Sequence, residues 1–198
     1  MKGQRLLQTI GLFLKRGSGA RGRYLREKHI FAEVGENVRF QPRLIPLYPE
    51  LIKLHNNIMV AAGVRFVTHD ASYTVLNRLG LGRFPERVGC IEVMDNVFIG
   101  YNATILPNVR IGKNVIIGAN STVTKDLAPN GVYAGTPARR IGSFDEYVQK
   151  CAEISGGYSY PYVEHNQNIS KDEAQRAWEF FNAERNADGE SLTGGMDQ

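Results

Sequence analysis

The sequence holds only two cysteines, Cys90 and Cys151, among 198 residues. Two thiols do not make a disulfide framework, and a chain of this length buries a core without one. No run of about 18 apolar residues occurs, which excludes a transmembrane helix. A strong charge of one sign is also missing: 24 basic and 20 acidic residues leave a formal net charge of +4. That small excess sits at the start. Positions 1–28 carry eight Lys/Arg and a single acid, Glu27, so the remainder is slightly acidic. Nucleic-acid binding is therefore disfavoured as the main function, because it needs a basic face on the folded body. The composition is that of a soluble globular protein, with 42% apolar and 22% charged residues, and the length fits one domain with short appendages.

The basic start reads as an arm. Leu6, Leu7, Ile10, Phe13 and Leu14 fall at helical spacing, which predicts a short amphipathic helix. Residues 17–22, GSGARG, read as a flexible basic linker. The helix is expected to pack on its own domain or on a sister subunit. A basic helix with Phe and Leu on one side also suits an anionic membrane surface. A signal peptide fits poorly, since Gln8 and Thr9 break the apolar run.

The middle of the chain has a period of six. Val93, Ile99, Ile105, Ile111, Ile117 and Val123 recur at every sixth position, and Gly100, Gly112 and Gly118 follow three of them. Asn or Asp fills intervening positions at Asp95, Asn96, Asn102, Asn108, Asn114 and Asn120. Six residues match neither a 3.6-residue helix nor a hairpin. They match a triangular solenoid in which each hexad supplies a short strand and a corner, and three hexads close one coil. The aliphatic residue points inward, and Gly or Asn at the corner tolerates left-handed backbone angles.

A weaker run with the same period precedes it: Val34, Phe40, Pro46, Ile52, Ile58 and Val64. The two runs are out of phase, so something interrupts the coil. The interruption covers about residues 69–88, polar and rich in glycine, and reads as a projecting loop. Loops of this length in a compact fold tend to be functional. After Val123, capping boxes Ser143/Glu146 and Ser170/Glu173 predict two helices. The first runs to about Glu153, and the second buries Ala174, Ala177, Trp178 and Phe181 on one stripe. The segment GGYSYPYVEHNQN between them reads as a linker, and the end from Asn186 as a polar disordered tail. These helices are expected to cover the solenoid's end.

The hexad run together with VTKDLAPNGVYAGTPARRIG (residues 123–142) resembles the hexapeptide-repeat acyltransferases. Within them it is similar to the branch of galactoside, maltose and xenobiotic acetyltransferases, and to capsular or surface-polysaccharide O-acetyltransferases. The likeness covers about residues 30–145. It implies an all-β solenoid, a left-handed parallel β-helix with N-terminal and C-terminal capping helices. The implied domains are a basic arm over 1–28, the acyltransferase coil over 29–142 and C-terminal helices with a tail over 143–198. It also implies acetyl-CoA as co-substrate with no metal, a homotrimer with active sites between subunits and a sugar or polysaccharide acceptor; a cytoplasmic location is expected, with the basic arm over 1–28 offering peripheral contact at the inner face of the membrane.

The resemblance places the catalytic base at His69, at the root of the projecting loop. A neutral imidazole takes the proton of a hydroxyl as it attacks the thioester carbonyl. Asp70 and Glu92 are both candidates to hold its other ring nitrogen. The matching cofactor positions are Phe98, Tyr101, Ala119, Thr124, Lys125 and Arg139, with Arg140 assisting at the phosphates. Gly142 stands where relatives often have a further basic residue. Within loop 69–88, Tyr73, Asn77, Arg78 and Arg83 are available to an acceptor. A zinc site needs three ligands, but His55 and His69 lie fourteen positions apart, and His29 and His165 have no supporting context. The other readings are an acyltransferase acting on an amino sugar, antibiotic or amino acid, and a non-catalytic β-helix scaffold.

Overall fold

The computed structural model describes residues 2–156 and 168–193. Its contacts divide the chain into two units, Met1–Tyr147 and Val148–Gln198. The first opens with helices α1 (Lys2–Phe13) and α2 (Ser18–Glu27). Its strands then belong to three sheets that the chain visits in turn. The first sheet holds β1 (Glu33–Val34), β3 (Ile52–Leu54), β8 (Ile91–Val93) and β11 (Val109–Ile111). The second holds β2 (Val38–Phe40), β4 (Ile58–Val60), β9 (Val97–Ile99), β12 (Val115–Ile117), β14 (Gly131–Ala134) and β15 (Arg139–Ser143). The third holds β5 (Arg65–Phe66), β10 (Thr104–Ile105) and β13 (Thr122–Val123).

All these pairings are parallel except β14 with β15. Val93 pairs with Ile111, Ile99 with Ile117 and Ile105 with Val123, each eighteen positions on. Three hexads thus make one turn, and this unit is a three-sided coil. All six aliphatic residues of the main run are fully buried and stack between coils. Every one of the five corner asparagines from Asn96 to Asn120 has a left-handed backbone. Their amides form columns: Asn57 Nδ2 donates to Asn96 Oδ1 (2.8 Å), Asn96 to Asn114 (2.9 Å) and Asn114 to Asn130 (2.8 Å). Gly100 is required by close approach, since a Cβ there would lie 2.6 Å from the Ile117 carbonyl oxygen.

The earlier run is less regular. Val38 pairs with Ile58 and Val34 with Leu54, a step of twenty rather than eighteen. The two extra residues fall in the first coil's third side, which forms no strand. Pro46, expected inside, is only half-buried, while Ile45 is buried in the core. Proline has no N–H to give to a parallel ladder. Between the first coils and the later ones the step is thirty-nine, as Phe66 pairs with Ile105. The excess is the projecting segment. It begins and ends in the antiparallel pair β6 (His69–Asp70) and β7 (Arg87–Val88) and carries α3 (Tyr73–Leu76).

The start of the coil corrects the sequence reading. The segment taken as a flexible linker is the first half of helix α2, which packs on β2, the edge strand of the second sheet. Gly22 allows this, since a Cβ there would lie 1.9 Å from the Val38 carbonyl oxygen. Arg21 is buried and donates from Nε to the Phe40 carbonyl (2.8 Å) and from Nη1 to the Lys15 carbonyl (3.0 Å). Those contacts and buried Leu25 cover an edge that would otherwise pair with other chains. Helix α1 buries Leu12 but leaves Leu6, Leu7, Ile10, Phe13 and Leu14 exposed.

Helix α4 (Phe144–Gly156) starts at the expected capping box, with Glu146 N–H to Ser143 Oγ and Ser143 N–H to Glu146, both 3.1 Å. In the second unit, α5 (Lys171–Thr193) starts at the other, where Ser170 N–H donates to Glu173 (2.7 Å). The expected buried stripe is not formed: Trp178 is 63% and Phe181 41% exposed, and their rings pack edge to face at 5.4 Å. The α5 backbone also continues to Thr193, past the expected start of the tail. The linker residues 157–167, with His165, and residues 194–198 lie outside the described residues. No helix among the described residues is long and apolar enough to cross a membrane.

Candidate functional site

His69 is held from both sides. The Thr68 side chain, fully buried, donates its hydroxyl to the Leu47 carbonyl, and the His69 backbone pairs with Val88 in the hairpin. Its ring is half-buried, with Nδ1 buried and without a hydrogen-bond partner among the described residues. An orphaned buried nitrogen asks for an explanation. A partner arriving with substrate or with a second chain supplies one.

Neither expected carboxylate bonds this ring. Asp70 accepts from the Ser72 amide (2.8 Å) and pairs with Arg87 across the hairpin. The Ser72 bonds first, then Arg87, hold its carboxyl below the usual range. Glu92 lies on the outward side of the first sheet, where it accepts from His55 Nε2 (3.0 Å) and Arg110 Nε (2.7 Å). The His55 bond, then Arg110, lowers its pKa. Both acids are consumed by local structure, which explains why neither reaches the imidazole.

The residue that does meet the ring is Tyr48, absent from the sequence reading. Its ring stands at 87° to that of His69, with centroids 5.8 Å apart, and its hydroxyl donates to Glu86 (2.9 Å). That bond, followed by burial, raises the phenol's pKa and keeps it a donor. Tyr48 has φ 52° and ψ 56°. Among the described residues, eight of the ten non-glycine positions with positive φ are asparagine; the others are Tyr48 and His29. A bulky residue in this conformation costs on the order of 1–2 kcal/mol. A tyrosine where the coil elsewhere uses asparagine was the signal available in the sequence.

Four of the expected cofactor residues fall on two edges of the third sheet. Tyr101 and Ala119 are exposed at successive turns of the corner leading into it, linked by the Asn120 amide donating to the Tyr101 carbonyl (2.8 Å). Thr124 and Lys125 are exposed at the corner leading out of it, the same edge as His69 but two coils further on. Phe98 projects outward from the second sheet, next to Met59 and Ile116 in register. It lines a groove of about 790 Å³ between that sheet and α2, where Arg23, Arg26 and Arg39 also lie. The arginine-lined wall supplied by α2 was not foreseen. Arg139 is exposed, and its side chain donates from Nη1 to its own neighbour's carbonyl (Ala138, 3.1 Å). Arg140 instead donates to the Gly142 (3.2 Å) and Asn130 (3.1 Å) carbonyls, so it ties β15 to a corner. Among the described residues no group of three His, Cys, Asp or Glu side chains is placed to hold a metal.

A three-sided parallel coil with six-residue faces, inward aliphatics and corner asparagines is a hexapeptide-repeat solenoid. Comparison with known proteins agrees with this class. Residues 91–125 match the family described as bacterial transferase hexapeptide (six repeats). The chain is 40% identical to Protein CapG of Staphylococcus aureus over 107 residues, 53% of this chain and 60% of that protein. It is 32% identical to the galactoside O-acetyltransferase of Escherichia coli over 141 residues, 60% of this chain and 67% of that one. A solved maltose O-acetyltransferase from Clostridium difficile superposes with a TM-score of 0.51 at 26% identity, covering 71% of this chain and 84% of that chain. The chain belongs to the hexapeptide-repeat transferase family. It spans less than two thirds of the length of CapG, the first of these relatives.

Proposed function

We propose that this chain is an acetyl-CoA-dependent O-acetyltransferase that acts on a hydroxyl of a sugar or surface polysaccharide. The observation that carries the reading is His69, set at the root of the projecting hairpin with its ring free of internal hydrogen bonds among the described residues. The relatives named for galactoside and maltose O-acetylation support the acetyl donor and the sugar acceptor. In the reaction the acceptor oxygen bonds to the thioester carbonyl carbon while His69 takes its proton. The carbon–sulfur bond then breaks, and the coenzyme A thiolate leaves with that proton.

Residues 29–142 are the transferase coil in this reading, left-handed as in the family, and segment 69–88 shapes the acceptor pocket. The donor lies along Phe98, Tyr101, Ala119, Thr124 and Lys125, with Arg139 at the phosphates. One chain keeps His69 and Tyr101 on opposite edges of the third sheet. Its second sheet shows an outward apolar row of Met59, Phe98, Ile116 and Val132. Both features support a homotrimer whose sites form between copies. The exposed apolar side of α1, set among the basic residues of positions 1–28, supports peripheral contact with an anionic membrane from the cytoplasmic side. Flotation with vesicles containing anionic lipid checks that contact.

Turnover tests the function. His69→Ala is expected to lower it by about 10²–10⁴-fold with acetyl-CoA affinity unchanged. Near-normal turnover in that variant contradicts the assigned base.

A further inference from the structure

The geometry points to Tyr48 as the positioning residue of His69, with Glu86 as the anchor that holds Tyr48 in place. This rests on His69 being the base. No hydrogen bond among the described residues fixes the imidazole, so packing must orient it. Among the described residues the ring contact it makes is with Tyr48, at 5.8 Å between centroids and nearly perpendicular.

Three independent features converge on this corner. Tyr48 adopts a left-handed backbone where the coil otherwise places asparagine, and an outlier of this kind beside a reactive group is a pointer to function. The first coil carries two extra residues on this side, which forms no strand. Residues 47 and 48 are tied to the His69 segment twice. The Leu47 carbonyl accepts from Thr68, and the Tyr48 hydroxyl donates to Glu86 just before β7, the partner strand of His69. The phenol thus links the coil to the hairpin beside the imidazole. Loss of the ring frees the imidazole. Loss of the hydroxyl alone leaves the ring contact and loosens only its anchor.

The test is nitrogen-15 NMR of the His69 ring in the full chain, assigned by its loss in His69→Gln. It is read in wild type, Tyr48→Phe, Tyr48→Leu and Glu86→Leu, beside thiol release from acetyl-CoA in water. The expected result is a ring contact between residues 48 and 69 in wild type and Tyr48→Phe. In Tyr48→Leu the His69 signals broaden or average, and kcat falls about tenfold at unchanged KM for acetyl-CoA. Tyr48→Phe restores most of that kcat. Identical His69 signals and kcat in wild type and Tyr48→Leu overturn the inference. If Tyr48→Leu does not fold, Glu86→Leu, which removes the acceptor, decides: an intermediate loss of ring order supports the anchor, and wild-type behaviour removes it. Absence of acetyl-CoA binding by wild type defeats the proposed function instead, and leaves the ring signals to judge the positioning.

Discussion

The first and second sheets share an interior but not an exterior. Inside, Leu54, Val93 and Ile111 stack on the first sheet as Val60, Ile99 and Ile117 do on the second, all fully buried. Outside, the first sheet shows Glu33, Lys53, Glu92 and Arg110 in register, neutralising one another through Lys53–Glu33 (3.7 Å) and Arg110–Glu92 (2.7 Å). The second shows Met59, Phe98, Ile116 and Val132, with Phe98 38% exposed. A hexad therefore carries two messages. Its inward residue encodes the coil, and its outward residue encodes what that side meets. A self-paired charged row suits water, whereas an apolar row suits a ligand or a second copy.

The sharpest break of that comparison removes what both sheets share. Ile117→Ala opens a cavity in the stack and is expected to cost about 2–5 kcal/mol in urea unfolding. A loss below about 1 kcal/mol would mean that the stack relaxes freely, against close packing. The next effect separates the sheets. Phe98→Glu on the second sheet is expected to weaken acetyl-CoA binding at least tenfold and to dissociate the proposed trimer in sedimentation. Lys53→Glu on the first leaves both unchanged. Equal effects from the two substitutions would erase the distinction.

The smallest effect concerns Glu92, whose folded-state pKa is depressed by His55 and Arg110. A depressed carboxylate contributes stability above its unfolded pKa, about 4.3, and loses it as pH falls through the lower folded value. Glu92→Gln should therefore cost under about 1 kcal/mol at neutral pH and flatten the decline of stability below about pH 4. Thermal melts across pH 3–7 check this, and an unchanged acid limb would show that the row contributes nothing.

The coil was legible because its signal is periodic: inward aliphatics every six residues and corner asparagines whose short amides accept left-handed angles. Helix α2 was hidden because Gly17, Gly19 and Gly22 look like linker residues. Of these, Gly22 is what lets the helix lie on the edge strand, where a Cβ would meet the Val38 carbonyl. Pro46 kept the period while failing its physics, since the ladder there needs an N–H. Trp178 and Phe181 followed a helical stripe, but a stripe states only that an apolar side exists, not what covers it. At the candidate site, the sequence offers His69 at the root of the loop, whereas Tyr48 and Glu86, thirty-eight positions apart, meet only once the hairpin folds back. Glu92 stood beside Asp70 as a candidate partner of His69 because sequence order does not reveal that His55, just past β3, and Arg110, on β11, bond it.

Calorimetric titration with acetyl-CoA of wild type, Arg139→Ala and Phe98→Glu tests the account most directly. It predicts saturable binding near one molecule per subunit in wild type, weakened by both substitutions. A folded wild type that takes up no acetyl-CoA would contradict it and leave the coil a scaffold.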